Sequence, residues 1–163
     1  MSVSTTTRKA SFAGGQSALT FSFRALTSNP EYIKVKQILN STGEETLLTY
    51  DTEYTVSINS NGVGGTVTVS PTFSTSYTQV VYRETALLQA SDYEDYSQFP
   101  ASTLEENIDR LTLILQELSE RVDRSPQLSI ASTISTISLP APTSGYALVW
   151  SGSTGTLINA INV

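Results

Sequence analysis

The sequence predicts a mainly β chain with one long helix: an N-terminal antiparallel β-sandwich or small barrel, then a coiled coil, then a short β-rich C-terminal extension. Strand-like alternation of apolar and polar residues runs to about Arg83. From Thr103, "TLEENIDRLTLILQELSERVDR" places apolar residues at alternating steps of four and three. From Ser125 to Val163 there is no charged residue. These observations divide the chain into a β-domain over 1–88, a bridge over 89–101, a helix over 102–125 and an uncharged extension over 126–163.

In "ALTFSFRAL", Leu19, Phe21 and Phe23 alternate with Thr20, Ser22 and Arg24, the period of a half-buried strand. "EYIKVKQI" sets Ile33 and Val35 against Tyr32, Lys34 and Lys36, so one face is wet. "EYTVSINSNGVGGTVTVSP" reads as a hairpin: Tyr54, Val56 and Ile58 on one arm, Val67 and Val69 on the other, around a turn with Asn61, Gly62, Gly64 and Gly65. "YTQVVYRE" supplies another strand. With polar turns between them, about six to eight short strands are expected.

Pro100 breaks the bridge "TALLQASDYEDYSQFPAS", and either Ser102 or Thr103 then fits an N-cap, with Glu105 or Glu106 completing a capping box. Acidic Glu105, Glu106 and Asp109 crowd the first turns, Arg121 and Arg124 the last, and Ser125-Pro126 ends the helix. About 22 residues at ~1.5 Å each give a rod of roughly 33 Å. Leu104, Leu111 and Leu118 fit d positions, and Ile108, Leu115 and Val122 fit a. These seam residues lean to a dimer, whereas Leu113 at f and Ile114 at g widen the stripe and leave room for a third helix. Self-association through the seam is the expectation; a core helix of one domain is the alternative.

The extension carries Leu128, Ile130, Ile134, Ile137 and Leu139 among Ser and Thr, followed by Trp150. A charge-free, β-prone segment left open is an aggregation hazard, so Ile130, Ile134, Ile137 and Trp150 are expected to be covered by other copies or by a partner.

Composition narrows the chemistry. Net charge is −6 without a Lys/Arg cluster, which argues against nucleic acid. The N-terminal "MSVSTTTRKASFAGGQ" has no secretory apolar core, and no run approaches the ~20 apolar residues of a membrane span. Without His or Cys, the usual nucleophile pairs and zinc sites are ruled out, and no cofactor is implied. "NGVGG" lacks the spacing and lysine of a phosphate loop. Asp92, Glu94 and Asp95 are the best acid cluster, but their spacing matches no calcium loop, and they read as a solvated turn. Tyr93, Tyr96, Phe99 and Trp150 are of the kind that stack on sugars, though aromatics at a junction more often pack. An enzyme is not expected.

A β-domain whose last strand ends in Arg83-Glu84-Thr85 is followed by Asp92-Tyr93, then Phe99-Pro100-Ala101, then a helix with Glu105 and Asp109-Arg110-Leu111-Thr112. That order resembles the N-terminal attachment region of bacteriophage tail fibres and tail spikes, over roughly Ala18 to Arg124. Ala86 and Leu88 depart from the family's usual strand, and Ser102-Thr103 from its usual bridge. "PAPTSGYALVWSGSTGTLIN" is similar to short connectors between fibre segments.

The resemblance implies a homotrimeric virion protein made in the host cytoplasm, with a parallel trimeric coiled coil through Leu104, Ile108, Leu111, Leu115, Leu118 and Val122. Its β-domain would dock on tail, collar or portal-adaptor proteins, and its C-terminus would close the trimer or accept a further fibre subunit. A receptor-binding module touching a host glycan or protein with Tyr146 and Trp150 is the alternative, and a glycan hydrolase using Asp92, Glu94 or Asp95 ranks third.

Overall fold

The alternation in the N-terminal half becomes seven strands: β1 (Lys9–Ala13), β2 (Ala18–Arg24), β3 (Ile33–Leu39), β4 (Glu45–Leu47), β5 (Tyr54–Ile58), β6 (Val63–Val69) and β7 (Tyr77–Arg83). The structure, a computed structural model, describes residues 3, 7–88, 101–134, 137–151 and 157–161. The strands pair antiparallel, in one sheet of order β1-β7-β3-β4 and another of order β2-β6-β5.

The two sheets close on one core. Leu19, Phe21 and Phe23 of β2, with Tyr54, Val67 and Val69 of its neighbours, meet Ile33, Val35 and Val81 of the other sheet. Phe21 and Phe23 stack with ring centroids 4.6 Å apart. Tyr54 is buried, and its hydroxyl donates to the Ile33 carbonyl at 2.9 Å, which ties the sheets together. In the hairpin, Tyr54 pairs with Val69, Val56 with Val67 and Ile58 with Gly65. Gly65 is required there, because a Cβ would lie 2.3 Å from the Ser57 carbonyl oxygen.

The helix α1 (Ala101–Asp123) follows, and β8 (Tyr146–Trp150) pairs with β9 (Leu157–Ile161) in a separate two-stranded sheet. The chain divides into two compact units, Met1–Arg121 and Val122–Val163.

Two expectations need correction. The fold is three antiparallel sheets with a single α-helix among the described residues, and no long coiled coil is evident. The helix does not leave the β-domain as a free rod: it buries Asp109, Leu113 and Glu117 within the first unit. The heptad reading left the helix separate from the β-domain, whereas here its acidic side packs on that domain and the apolar stripe stays outside. Leu113, assigned above to a widened stripe, is fully buried on the other side. The second correction is local. Ala101, the first residue described after the bridge, is already helical, so Ser102 and Thr103 lie within α1 rather than before it. Its end agrees with the Ser125-Pro126 stop, where the Ser125 amide donates to the Val122 carbonyl at 2.9 Å. Most of the bridge, including Asp92, Tyr93, Glu94, Asp95, Tyr96, Phe99 and Pro100, lies outside the described residues.

One core position is polar without reward. Gln79 of β7 is fully buried between Phe12 and Gln37 in the strand register, and neither of its amide heavy atoms has a hydrogen-bond partner. A buried amide left unsatisfied costs on the order of 1–3 kcal/mol. Gln79→Met, which keeps the volume and removes the amide, is therefore expected to raise the urea midpoint of the β-domain, by the equivalent of about 1 kcal/mol. A lower midpoint would show that the amide contributes to stability.

Candidate functional site

The site is α1 and what its two faces meet. At about 100° per residue, Glu106, Asp109, Leu113, Glu117 and Glu120 fall within one arc of the helix. The six seam residues fall within another arc centred about 180° from the first. One face is acidic and the other apolar, on opposite sides of the same rod.

The acidic face docks on arginines at strand ends. Arg24, at the end of β2, donates from Nη2 to Asp109 Oδ2 at 2.9 Å. Arg83, at the end of β7, donates from Nε to Glu117 Oε1 at 2.7 Å. The same Glu117 accepts from the Thr85 hydroxyl at 2.8 Å and the Thr85 amide at 2.9 Å. Arg8, just before β1, pairs with Glu120, to which Lys9 adds a contact at 3.3 Å. Because β2 belongs to one sheet and β7 to the other, the helix is fastened to both.

The arginines are also linked to one another through the backbone. Arg8 Nη1 donates to the Arg83 carbonyl at 3.0 Å, Arg83 Nη1 to the Arg24 carbonyl, and Arg24 Nη1 to the Asn61 carbonyl at 2.7 Å. Gly62 makes room for the last step: its φ is +68°, and a Cβ there would come within 3.1 Å of Arg24 Nη1. Planar guanidinium groups suit this double use, because each has five donors in a fixed fork.

Burial sets the magnitude. The Arg83 and Glu117 side chains are 1% and 6% exposed. Burial pushes the Arg83 guanidinium below its ordinary range, and the hydrogen bond and charge of Glu117 act against that. By contrast, the Arg121–Glu84 pair, at 2.7 Å, is exposed on both sides and contributes little. Arg110 lies 5.5 Å from the Tyr32 ring centroid and donates to the Tyr32 hydroxyl at 2.8 Å, adding a cation–π contact to the dock.

The apolar face is left outside. Leu104, Ile108, Leu111, Leu115, Leu118 and Val122 are all exposed, from 37% at Leu104 to 64% at Leu115. Beside them, Leu87 and Leu88 stand exposed, and with Leu104, Ile108, Leu111 and Ile114 they border a groove of about 490 Å³. Of the C-terminal candidates, Ile130 and Trp150 are exposed, while Ile134 and Ile137 are half-buried.

The six seam residues are thus brought into one row, as their spacing indicates. Sequence reasoning missed Arg8, Arg24, Arg83, Asp109, Glu117 and Glu120. One signal was available: Arg83 continues the inward parity of Gln79 and Val81 along β7, and an arginine at an inward position needs a carboxylate. Among the described residues no group of three or more carboxylates is placed to hold a metal ion. No helix among them is long and apolar enough to cross a membrane. Neither a family model nor a curated protein sequence matches this chain.

Removing one partner of a buried pair leaves the other charge uncompensated, so Glu117→Ala is expected to destabilise the chain by about 3–5 kcal/mol in urea unfolding. The double variant Arg83→Met/Glu117→Leu is expected to recover only part of that loss, because the Thr85 amide and hydroxyl lose their acceptor. A double variant less stable than Glu117→Ala would show that removing the Arg83 guanidinium relieves nothing.

Proposed function

We propose that the protein is a structural subunit of a phage virion, a short trimeric tail fibre or fibre-base adaptor, and not an enzyme. The observation that carries this reading is the two-faced helix. One side of α1 is occupied by the chain's own β-domain, and the opposite side offers six large apolar residues in a row spaced at 3.5 on average. Covering half-exposed side chains of this size is worth on the order of 1 kcal/mol each. An apolar row exposed along one side of a helix needs a cover, and the same row on a second and third copy supplies one.

Ile114, Leu87 and Leu88 broaden the apolar surface beside the seam, which supports three copies over two. Since docking uses the far side of the helix, each copy keeps its β-domain when the seams meet. Several identical β-domains held together suit a symmetric receiver such as a tail, collar or portal-adaptor protein. In this reading the chain is made in the host cytoplasm, becomes part of the virion without nucleic-acid binding or membrane insertion, and can accept a further fibre subunit at its C-terminus. The resemblance over roughly Ala18 to Arg124 supports the same assignment.

A second reading has its own observation. Tyr146 and Trp150 are 46% and 55% exposed, as a receptor-binding tip would require.

The test is assembly. Full-length protein at micromolar concentration should sediment as a trimer, and Leu111→Ser/Leu118→Ser should sediment as a monomer that keeps the β-domain's circular dichroism. A folded wild-type monomer would overturn the reading. Antibody to the chain should label the tail or collar of particles of the encoding phage, and its absence from purified particles would count equally against it.

A further inference from the structure

The β8–β9 hairpin carries an apolar surface that α1 does not explain. Tyr146, Leu148 and Trp150 share one face of it, and the register places Asn159 and Leu157 opposite Leu148 and Trp150 on that same face. Tyr146, Leu148 and Trp150 are each about half exposed, at 46%, 49% and 55%. A hairpin of two strands is marginal in water on its own, because it buries neither face. The other face, with Val149 and Ile158, is exposed to a lesser degree, at 38% and 44%, so covering the Tyr146–Leu148–Trp150 face stabilises the hairpin most.

We propose that this face turns to the axis of the assembly and packs against the same face of the hairpins in the other two copies of the chain. The proposal rests on the assembly reading above, and three features select this occupant. First, residues 125–163 hold no charged side chain, so identical hairpins meet without like-charge repulsion, and a charged partner finds no counter-charge. Second, the Asn159 amide, the polar side chain opposite Leu148, already donates to the Ala141 carbonyl at 2.7 Å and to the Thr143 hydroxyl at 3.1 Å. A glycan needs such groups directed outward, and here the amide is turned to the chain's own backbone. Third, about 24 residues join the last seam residue to Tyr146, and a tether of that length keeps the hairpins of seam-joined copies at roughly millimolar effective concentration. Weak apolar contacts are sufficient at that concentration.

Trp150 is the chain's sole tryptophan, so its fluorescence reports this face alone. In the assembled full-length protein its emission should be blue-shifted, and acrylamide quenching should be several-fold weaker than in Leu111→Ser/Leu118→Ser. Leu148→Glu, which places like charges face to face, should restore red-shifted emission and full quenching while the sedimenting mass stays that of the assembly. An assembled protein whose Trp150 is as accessible as free tryptophan overturns this proposal and leaves the assembly reading intact. An emission shift in that protein on adding host surface polysaccharide would then favour the receptor-tip reading. If wild-type protein sediments as a monomer, the assembly reading fails. In that case a concentration-dependent blue shift of Trp150 supports hairpin pairing alone, and a constant red emission overturns it.

Discussion

Three arginines at the strand ends of the β-sandwich have to be neutralised, and the placement of α1 follows from that need. Arg8, Arg24 and Arg83 are almost fully buried. A guanidinium out of water is tolerable only with a carboxylate beside it and with further acceptors for some of its remaining protons. Asp109, Glu117 and Glu120 supply the carboxylates, and the carbonyls of Arg83, Arg24 and Asn61 accept further protons. Satisfying three positions spread over about 16 Å of helix fixes rotation and axial register together. The outward direction of the apolar row is a consequence of that fit.

Such a dock trades stability for definition. An apolar interface tolerates slippage, since one methyl group replaces another at little cost, whereas an arginine displaced by one helical turn loses its partner and stays buried. Leu113 is the single buried apolar side chain of the helix, too little to set its position. Specification by charge also keeps the apolar residues from being consumed inside the chain. Had Leu111 and Leu118 packed on the sandwich, the outer face would be acidic and repel its own copies.

The parts of the fold that were legible in the sequence are those whose signal is local. Strands β2, β3, β5, β6 and β7 show period-two alternation, and the β5–β6 turn announces itself through Asn61, Gly62, Gly64 and Gly65. β4 was not legible: Glu45–Leu47 is exposed throughout and sits at the sheet edge, so its residues carry no burial pattern. β1 was missed as well, since Lys9–Ala13 alternates only between exposed and half-buried positions. The extent and seam of the helix could be read from its periodicity to within a few residues. Its docking could not, because Arg24 and Asp109 stand 85 residues apart and an acidic helix face looks the same whether it meets water or arginine. The apolar half of the site was therefore visible, while the charged half that orients it was hidden.

The opposition of the two helix faces also has a mechanical side. The backbone joins β7 to α1 through residues 84–100, so a pull on the β-domain reaches the helix by two parallel routes, the covalent chain and the arginine contacts. The contacts lie along the helix rather than at one end, so tension parallel to its axis loads Arg24–Asp109, Arg83–Glu117 and Arg8–Glu120 together, in shear. Ruptured in shear, several short-range contacts resist as a group, whereas peeled from one end they fail one after another. The resistance of this junction thus depends on direction: high along the rod, low for a force that lifts either end of it away from the sandwich.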